Sequence, residues 1–261
     1  MLLAALARAD DRMVRLPGGT FRMGSDTKDL LRQFPAAGEG LKSMLLAETP
    51  AHPVTLPPFH MDRFVVTNAD FQRFTQSRPE WRKERVGGDY LRHWETDRFS
   101  GHFGALPVVF VSWDAALAYA EWAGKRLPAE AEWEFAAGGG LTDSKYPWGN
   151  EEPTPKRANF RASGVHGPVP AGSYPPSPYG LFDLVGNVWQ FCLDPWSSYS
   201  AVTLRLSEDD LRRMRAAPAE RRSIRGGSFD GDAFNLRVTA RDSHKASNPV
   251  AHVGFRCAKS G

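Results

Sequence analysis

Most of this chain alternates between hydrophobic and polar residues in short blocks, and four segments carry a helical pattern. One begins at Thr67, which can cap a helix because Asp70 follows three residues later. Val66 and Phe71 are placed to pack on each other across this start. Three further helices are predicted over residues 113–123, 127–137 and 207–217.

The segments between these helices show extended or irregular patterns. Residues 16–24 predict a turn, a short strand and a second turn, and residues 52–60 are extended because proline biases its neighbours away from helix. Residues 107–111 predict a buried strand, whereas residues 26–50 are polar and irregular. No repeat of fixed period occurs, which excludes solenoids and propellers. We therefore predict one α+β domain with sparse regular structure over residues 13–261, preceded by an N-terminal extension at 1–12.

Composition narrows the class of protein further. The 261 residues include 24 Gly and 20 Pro, which indicates many turns and loops. Eight Trp and 16 Phe are too many aromatic residues for a disordered chain. No run of about 18 apolar residues occurs, so we expect no membrane-spanning helix.

The net charge of +3 gives no reason to expect nucleic-acid binding. The arginines between residues 205 and 225 are interleaved with acidic residues. Such a segment is typical of a solvated mixed-charge helix and loop, and an anionic partner is the alternative.

Cys192 and Cys257 are too few for a disulfide scaffold or a zinc site with paired cysteines, and they are compatible with one disulfide or two free thiols. Residues 1–9 look like the end of a secretory signal, but they lack a basic start and the apolar run is short. We expect a cytoplasmic protein. A periplasmic or secreted location is the alternative if a signal sequence has been truncated.

Eight motifs follow one another along the chain. They read LPGGTFRMG at 16–24, DRFVVTN at 62–68, PVVFVSW at 107–113, GKRLPAEAEWEF at 124–135, YPWGN at 146–150, YGLFDLVGNVW at 179–189, RGGSF at 225–229 and GFRC at 254–257. This ordered set resembles the formylglycine-generating enzyme family, also called the sulfatase-modifying factor family, from about residue 13 to residue 258. The resemblance implies a single, loop-rich α+β domain of the C-type-lectin-like kind.

Enzymes of that family oxidise a sulfatase cysteine to formylglycine with copper(I), which two cysteines bind just after the RGGS motif. Soft thiolates suit copper(I). In this chain the first ligand position falls at Gly231 and the second near Asn235 or Leu236, so neither is a cysteine. The resemblance therefore implies a member without the family's copper site, and we expect no copper.

A cleft remains the candidate functional site, because Trp189 and Ser228 match residues that line the oxygen and substrate pocket of the family. Segment 229–252 would line the same cleft. The candidate ligand-binding residues are Trp189, Ser228, Phe229, Asp230, Asp232, Asn235, Arg237, Arg241 and His244. For an enzyme, the catalytic candidates are Asp230, Asp232, Ser228, Trp189 and His244. The carboxylates can serve as acid and base or bind a hard metal, and the alternative is an ordinary solvated turn.

Calcium is a further expectation from the resemblance. The first site would use the Asp183 side chain, the Gly186 and Val188 carbonyls and the Gln190 side chain. The second would use the Asn159 side chain and the Phe160 carbonyl, although the partner segment between residues 161 and 168 is shortened. Both ions would be structural.

Three functions compete. The first is a ligand-binding or protein-binding accessory domain that uses the cleft, with an unknown protein or small molecule as partner. The second is a tailoring enzyme of oxidoreductase type with different chemistry on a small molecule or peptide. The third is formylglycine generation itself, against which the missing cysteine pair argues. We expect a paralogue without formylglycine activity, and the sequence leaves the choice between the first two open.

Overall fold

The computed structural model describes residues 12–141 and 143–261. The helices within these ranges are α1 (Thr27–Gln33), α2 (Glu39–Leu46), α3 (Asn68–Ser77), α4 (Lys83–Val86), α5 (Trp113–Trp122), α6 (Glu130–Gly138) and α7 (Glu208–Ala216). The strands are β1 (Met13–Leu16), β2 (Gly19–Met23), β3 (His52–Leu56), β4 (Phe59–Asp62), β5 (Trp189–Pro195), β6 (Leu204–Arg205), β7 (Arg221–Arg225), β8 (Arg241–Lys245), β9 (Val253–Gly254) and β10 (Ala258–Ser260). The predicted α+β class with much irregular structure is confirmed. Of the predicted extension at 1–12, all but Arg12 lies outside the described residues.

Three small sheets organise the strands. Their orders are β1-β4-β10, β2-β3-β6 and β8-β7-β5-β9. Strands β5 and β9 are parallel, and Trp189 is paired with Val253. This pairing brings the end of the 229–252 segment beside the start of β5. In the described ranges, none of the helices has the length and apolar character needed to cross a membrane.

Local capping explains where the predicted helices begin. Thr67 and Asp70 form the expected capping box at α3, and Ser207 and Asp210 form one at α7. The Ser112 hydroxyl accepts a hydrogen bond from the Ala115 amide at the start of α5. These interactions connect residues three apart, which is why the sequence alone located the helix starts.

Two segments differ from the prediction. Residues 26–50 contain α1 and α2, because Asp26 caps α1 and Leu30 and Leu45 pack in a small separate core. Residues 107–111 are buried but form no named strand. Val108 donates to the Val66 carbonyl at 2.9 Å, while Phe110 has a positive φ of 55°, which interrupts an extended ladder.

The main core packs α3 and α5 against the centre of the molecule through aromatic side chains. Phe71 stacks on Tyr119 with ring centroids 5.6 Å apart, and Phe255 meets both rings edge-on. All three are buried. Phe255 belongs to the GFRC motif, so the core fixes the chain immediately after β9 and with it the end of the cleft segment.

The arginine-rich segment 205–225 is largely neutralised by neighbours. Arg212 pairs with Asp209 and Arg213 with Asp210 along α7. Arg215 pairs with Glu121 at 2.6 Å. This arrangement matches the predicted mixed-charge helix and gives no support to an anionic partner at α7.

Candidate functional site

The turn after β7 carries Ser228, one of the residues expected to line the cleft. Gly226 has a φ of +99°, and a Cβ atom there would lie 2.4 Å from the Leu184 carbonyl oxygen. Only glycine permits this close approach. Arg225, just before the turn, is fully buried and pairs with Glu134. The RGGS motif is thus fixed against the 183–190 loop at Gly226 and against α6 at Arg225.

Five residues meet beyond this turn, and we call them the cleft group: Trp189, Ser228, Asp230, His244 and His252. The Ser228 hydroxyl donates to Asp230 Oδ1 at 2.6 Å. The Nδ1 atom of His252 lies 3.6 Å from Asp230 Oδ2. The two histidine rings meet edge-on with centroids 6.2 Å apart, and the Trp189 amide donates to the His252 carbonyl at 2.8 Å. The group combines buried and solvent-facing polar atoms.

Asp232 and Phe229 lie at the border of the cleft group. Arg161 donates to the Asp230 carbonyl at 2.7 Å and to Asp232 Oδ1 at 2.9 Å, so it fixes the 230–232 turn from outside. Phe229 is half-buried, and its amide donates to the Asn187 carbonyl at 3.0 Å. Asp232 is therefore a surface ion-pair partner, whereas Asp230 faces the histidine.

His252 ends the segment expected to line the cleft, and it joins the group through the fold rather than through local sequence. Its position depends on the parallel pairing of β5 with β9, which joins residues more than 60 positions apart. Burial lowers the pKa of His244, and the neighbouring His252 and Arg221 add to this effect. Nε2 of His244 donates to the Asn248 carbonyl at 2.8 Å, so Nδ1 is the nitrogen that can accept a proton in the neutral ring.

Gly231, the first expected copper position, lies beside Asn235, one of the two residues expected for the second. A Cβ atom on Gly231 would lie 3.6 Å from Asn235 Oδ1, and Asn235 is buried. Cys192 and Cys257 are free, buried thiols, and burial raises the pKa of each well above its ordinary value. Among the described residues, no group of three or more His, Cys, Asp or Glu side chains is placed to hold a metal ion.

Arg237 and Arg241 do not join the cleft group, in contrast to the expectation. Both are buried. Arg237 donates to Glu48 at 2.9 and 2.5 Å, and Arg241 donates to Glu130 at 2.6 and 2.8 Å. A guanidinium taken from water needs such a carboxylate partner. Both arginines therefore hold the interior together.

A further carboxyl, missed in the sequence, lies outside the cleft. Asp194 accepts a hydrogen bond from the Glu130 amide at 2.7 Å, at the start of α6. It lines a cavity of about 260 Å³ together with Tyr199 and Arg241. Burial raises the pKa of Asp194 to about 7, and the charge of Glu130 adds to the effect.

The residues expected to bind the first calcium fit such an ion only in part. One side-chain oxygen of buried Asp183, Oδ1, has no hydrogen-bond partner among the described residues. The amide oxygen of Gln190, however, already accepts from Trp133 at 3.0 Å and from Arg256 at 2.6 Å. A cation on that oxygen would lie beside a guanidinium. The full ligand set is therefore not assembled.

The residues expected for the second calcium are engaged by a hydroxyl. Ser163 donates to Asn159 Oδ1 at 2.9 Å and to the Phe160 carbonyl at 2.6 Å. The Asn159 amide group donates to the Gly167 carbonyl at 2.9 Å. Local hydrogen bonds close this loop, and the two oxygens share the single Ser163 hydroxyl proton. Calcium at either position stays a prediction.

A sequence profile of the sulfatase-modifying factor enzyme 1-like domain matches residues 3–261. The chain belongs to this family. The resemblance of the eight motifs is thereby confirmed.

Relatives within the sulfatase-modifying factor family carry two kinds of name. A formylglycine-generating enzyme of Thermomonospora curvata is 36% identical, over 94% of this chain and 92% of the relative. An inactive C-alpha-formylglycine-generating enzyme 2 of Bos taurus is 35% identical, over 94% of this chain and 87% of the relative. Overall identity thus does not separate active from inactive members.

Solved structures agree with the family fold. PvdO from Pseudomonas aeruginosa has a TM-score of 0.70 and 25% identity, covering 95% of this chain and 94% of its own. A Treponema denticola variable protein has a TM-score of 0.71 at 20% identity, covering 95% of each chain. The second likeness shows the fold alone. Function within this sulfatase-modifying factor fold must be argued from the site.

Proposed function

We propose that this member of the family does not generate formylglycine and acts as a binding or accessory domain through the cleft group. The observation that supports this proposal is that Gly231 and Asn235 stand where the family binds copper, and neither residue has a thiol. Cys192 and Cys257 do not substitute, because both are buried and strongly resist ionisation.

A turnover assay tests the lost activity. The protein is incubated with copper(I), oxygen and a sulfatase-type cysteine peptide, and the peptide is weighed by mass spectrometry. We expect an unchanged peptide, while an active formylglycine-generating enzyme run in parallel converts it to the aldehyde. Conversion by this protein would contradict the proposal, because it would require copper bound without the cysteine pair.

A binding screen tests the retained cleft. Metabolites and short peptides are tested for a change in melting temperature, since a ligand that binds only the folded state stabilises it. We expect hits that weaken in Asp230→Asn and in His252→Gln. The matched control is Asp209→Asn, whose side chain is 67% exposed on α7. Hits that bind all four proteins equally would exclude the cleft group as the site.

An enzyme of different chemistry is the second candidate, and the Asp230–His252 contact favours it. A carboxylate beside Nδ1 of an imidazole holds the ring in one orientation, with Nε2 as the nitrogen that can face a substrate. The test is incubation with a metabolite extract, followed by mass spectrometry. A product that disappears in Asp230→Asn and His252→Gln, but persists in Asp209→Asn, would favour an enzyme. No product would leave binding as the function.

A further inference from the structure

The outer edge of β2 presents main-chain groups to solvent. The Thr55 carbonyl accepts from the Leu206 amide at 3.0 Å, so the main-chain groups of Thr55 face β6. Thr20 is paired with Thr55 in an antiparallel register. The amide and carbonyl of Thr20 therefore point away from β3, and the two-residue period of a strand gives Arg22 the same direction.

The main-chain amides and carbonyls of Thr20 and Arg22 have no hydrogen-bond partner among the described residues. At the next position along the edge, the Gly24 amide donates to Glu134 Oε1 at 2.7 Å. The edge strand β8 differs, since Arg221 donates to the Ser243 carbonyl at 2.5 Å and covers it. An uncovered edge is a template for another strand.

A groove runs beside this edge. Its volume is about 480 Å³, within the usual range for ligand sites. The consecutive residues from Thr20 to Arg22 all line it. Successive side chains of a strand point to opposite faces of the sheet, so a groove lined by all three residues runs along the edge of the strand. Phe135, Gly138 and Leu141 contribute to the opposite side.

Apart from exposed Asp143, which makes none of the described ion pairs, the charged side chains near the groove have partners. Arg22 lies 3.8 Å from Asp26, and buried Glu134 pairs with Arg225. Where the groove continues towards α1, Lys145 pairs with Glu152 at 2.6 Å. Phe21 and Phe135 meet edge-on with centroids 5.5 Å apart and add apolar surface. The groove thus offers main-chain hydrogen bonds and apolar contact with little net charge.

We propose that the β2 edge and its groove bind an extended, uncharged peptide segment of a partner protein as an added strand. The main-chain groups of Thr20 and Arg22 supply the hydrogen bonds, and the apolar wall selects small apolar residues at alternate positions. This surface is separate from the cleft group, so the inference does not depend on the proposed function.

The experiment uses the full chain and a random nine-residue peptide library displayed on phage. Enriched peptides are synthesised, and their dissociation constants are measured by fluorescence anisotropy. Thr20→Pro and Arg22→Pro each remove one outward amide without removing a bond of the sheet. We expect each to weaken binding about tenfold or more, because a hydrogen bond is lost and its acceptor on the peptide is left unpaired.

A groove-filling variant and a matched control separate docking from misfolding. A Cβ atom on Gly138 would meet no atom within 4 Å, so Gly138→Leu fills the groove while the fold is kept. We expect it to abolish binding. Arg15→Pro is the control, because Arg15 also points its amide outward, from exposed β1, away from the groove. It leaves binding unchanged.

Amide hydrogen exchange supplies a second readout. We expect the Thr20 and Arg22 amides to become protected when an enriched peptide binds. No enriched peptide, equal affinity in all variants, or an absence of protection at both amides would overturn the proposal. Selection of highly charged peptides would contradict the proposal that the bound segment is uncharged. Sedimentation showing self-pairing that Arg22→Pro abolishes would identify a second copy as the occupant instead.

Discussion

Replacing Arg241 by alanine tests whether this residue belongs to the interior or to the ligand cleft. Its guanidinium makes two charge-assisted bonds to Glu130 and donates to the Ala47 and Ser197 carbonyls, each at 3.0 Å. The group also lies 4.1 Å from the Trp196 ring centre and 3.9 Å from that of Tyr199. Alanine removes all of these contacts and leaves Glu130 buried.

The expected loss is large. Breaking a buried ion pair by removing one partner costs about 3–5 kcal/mol. Arg225 stays 3.4 Å from Glu130 and Tyr199 donates to the same carboxylate at 3.2 Å, which places this variant at the lower end of that range. For a chain of this size, each kcal/mol lowers the melting temperature by about 2–4 °C. We therefore expect Arg241→Ala to melt about 6–12 °C below the unsubstituted protein.

Urea unfolding followed by tryptophan fluorescence measures the free energy of unfolding, and scanning calorimetry measures the melting temperature. Arg212→Ala is the control, since its pair with Asp209 is exposed and contributes at most about 1 kcal/mol. A loss for Arg241→Ala no larger than that of the control would refute the structural role. If Arg241→Ala lost binding of a cleft ligand while its stability stayed unchanged, Arg241 would belong to the cleft.

Three further outcomes are expected. The double variant Gly231→Cys with Asn235→Cys gains copper(I) binding, measured by competition with a chromogenic chelator, while the double variant with Ser at both positions does not. Equal binding by the Cys and Ser variants would exclude this position as the copper site. Because burial raises the pKa of Asp194 to about 7, the folded state binds its proton more tightly than the unfolded state does, and its contribution to stability falls as pH rises from about 4 to 7. Asp194→Asn should remove this decrease in urea titrations, and an unchanged pH profile would contradict the assignment. If calcium binds at the 183–190 loop, it raises the melting temperature relative to EDTA and Asp183→Ala abolishes the rise; no shift with calcium would exclude the predicted site.

The sequence predicted much of the fold because helix starts depend on neighbouring residues. The Thr67 and Ser207 boxes each join residues three apart, and both formed as expected. The segment 107–111 shows the limit of this reasoning. Its apolar pattern predicted burial, but a positive φ at Phe110 and bonds to distant chain kept it out of a ladder. An apolar pattern indicates that a segment is buried, but it does not indicate as directly whether that segment pairs with another strand.

The candidate site was predictable in part for the same reason. Ser228 and Asp230 are two residues apart, and one turn brings their side chains together. His252 completes the group only through the pairing of β5 with β9. No local signal marks that pairing, because β9 is two residues long.

By itself, the sequence determined the family, the helix starts and the lack of cysteine at positions 231 and 235, since these depend on residue identity and short spacing. The tertiary structure decided the roles of Arg237 and Arg241. Their partners Glu48 and Glu130 lie 189 and 111 positions away along the chain. A buried charge needs partners that the fold supplies, and for these two arginines the partners are opposite charges on distant segments.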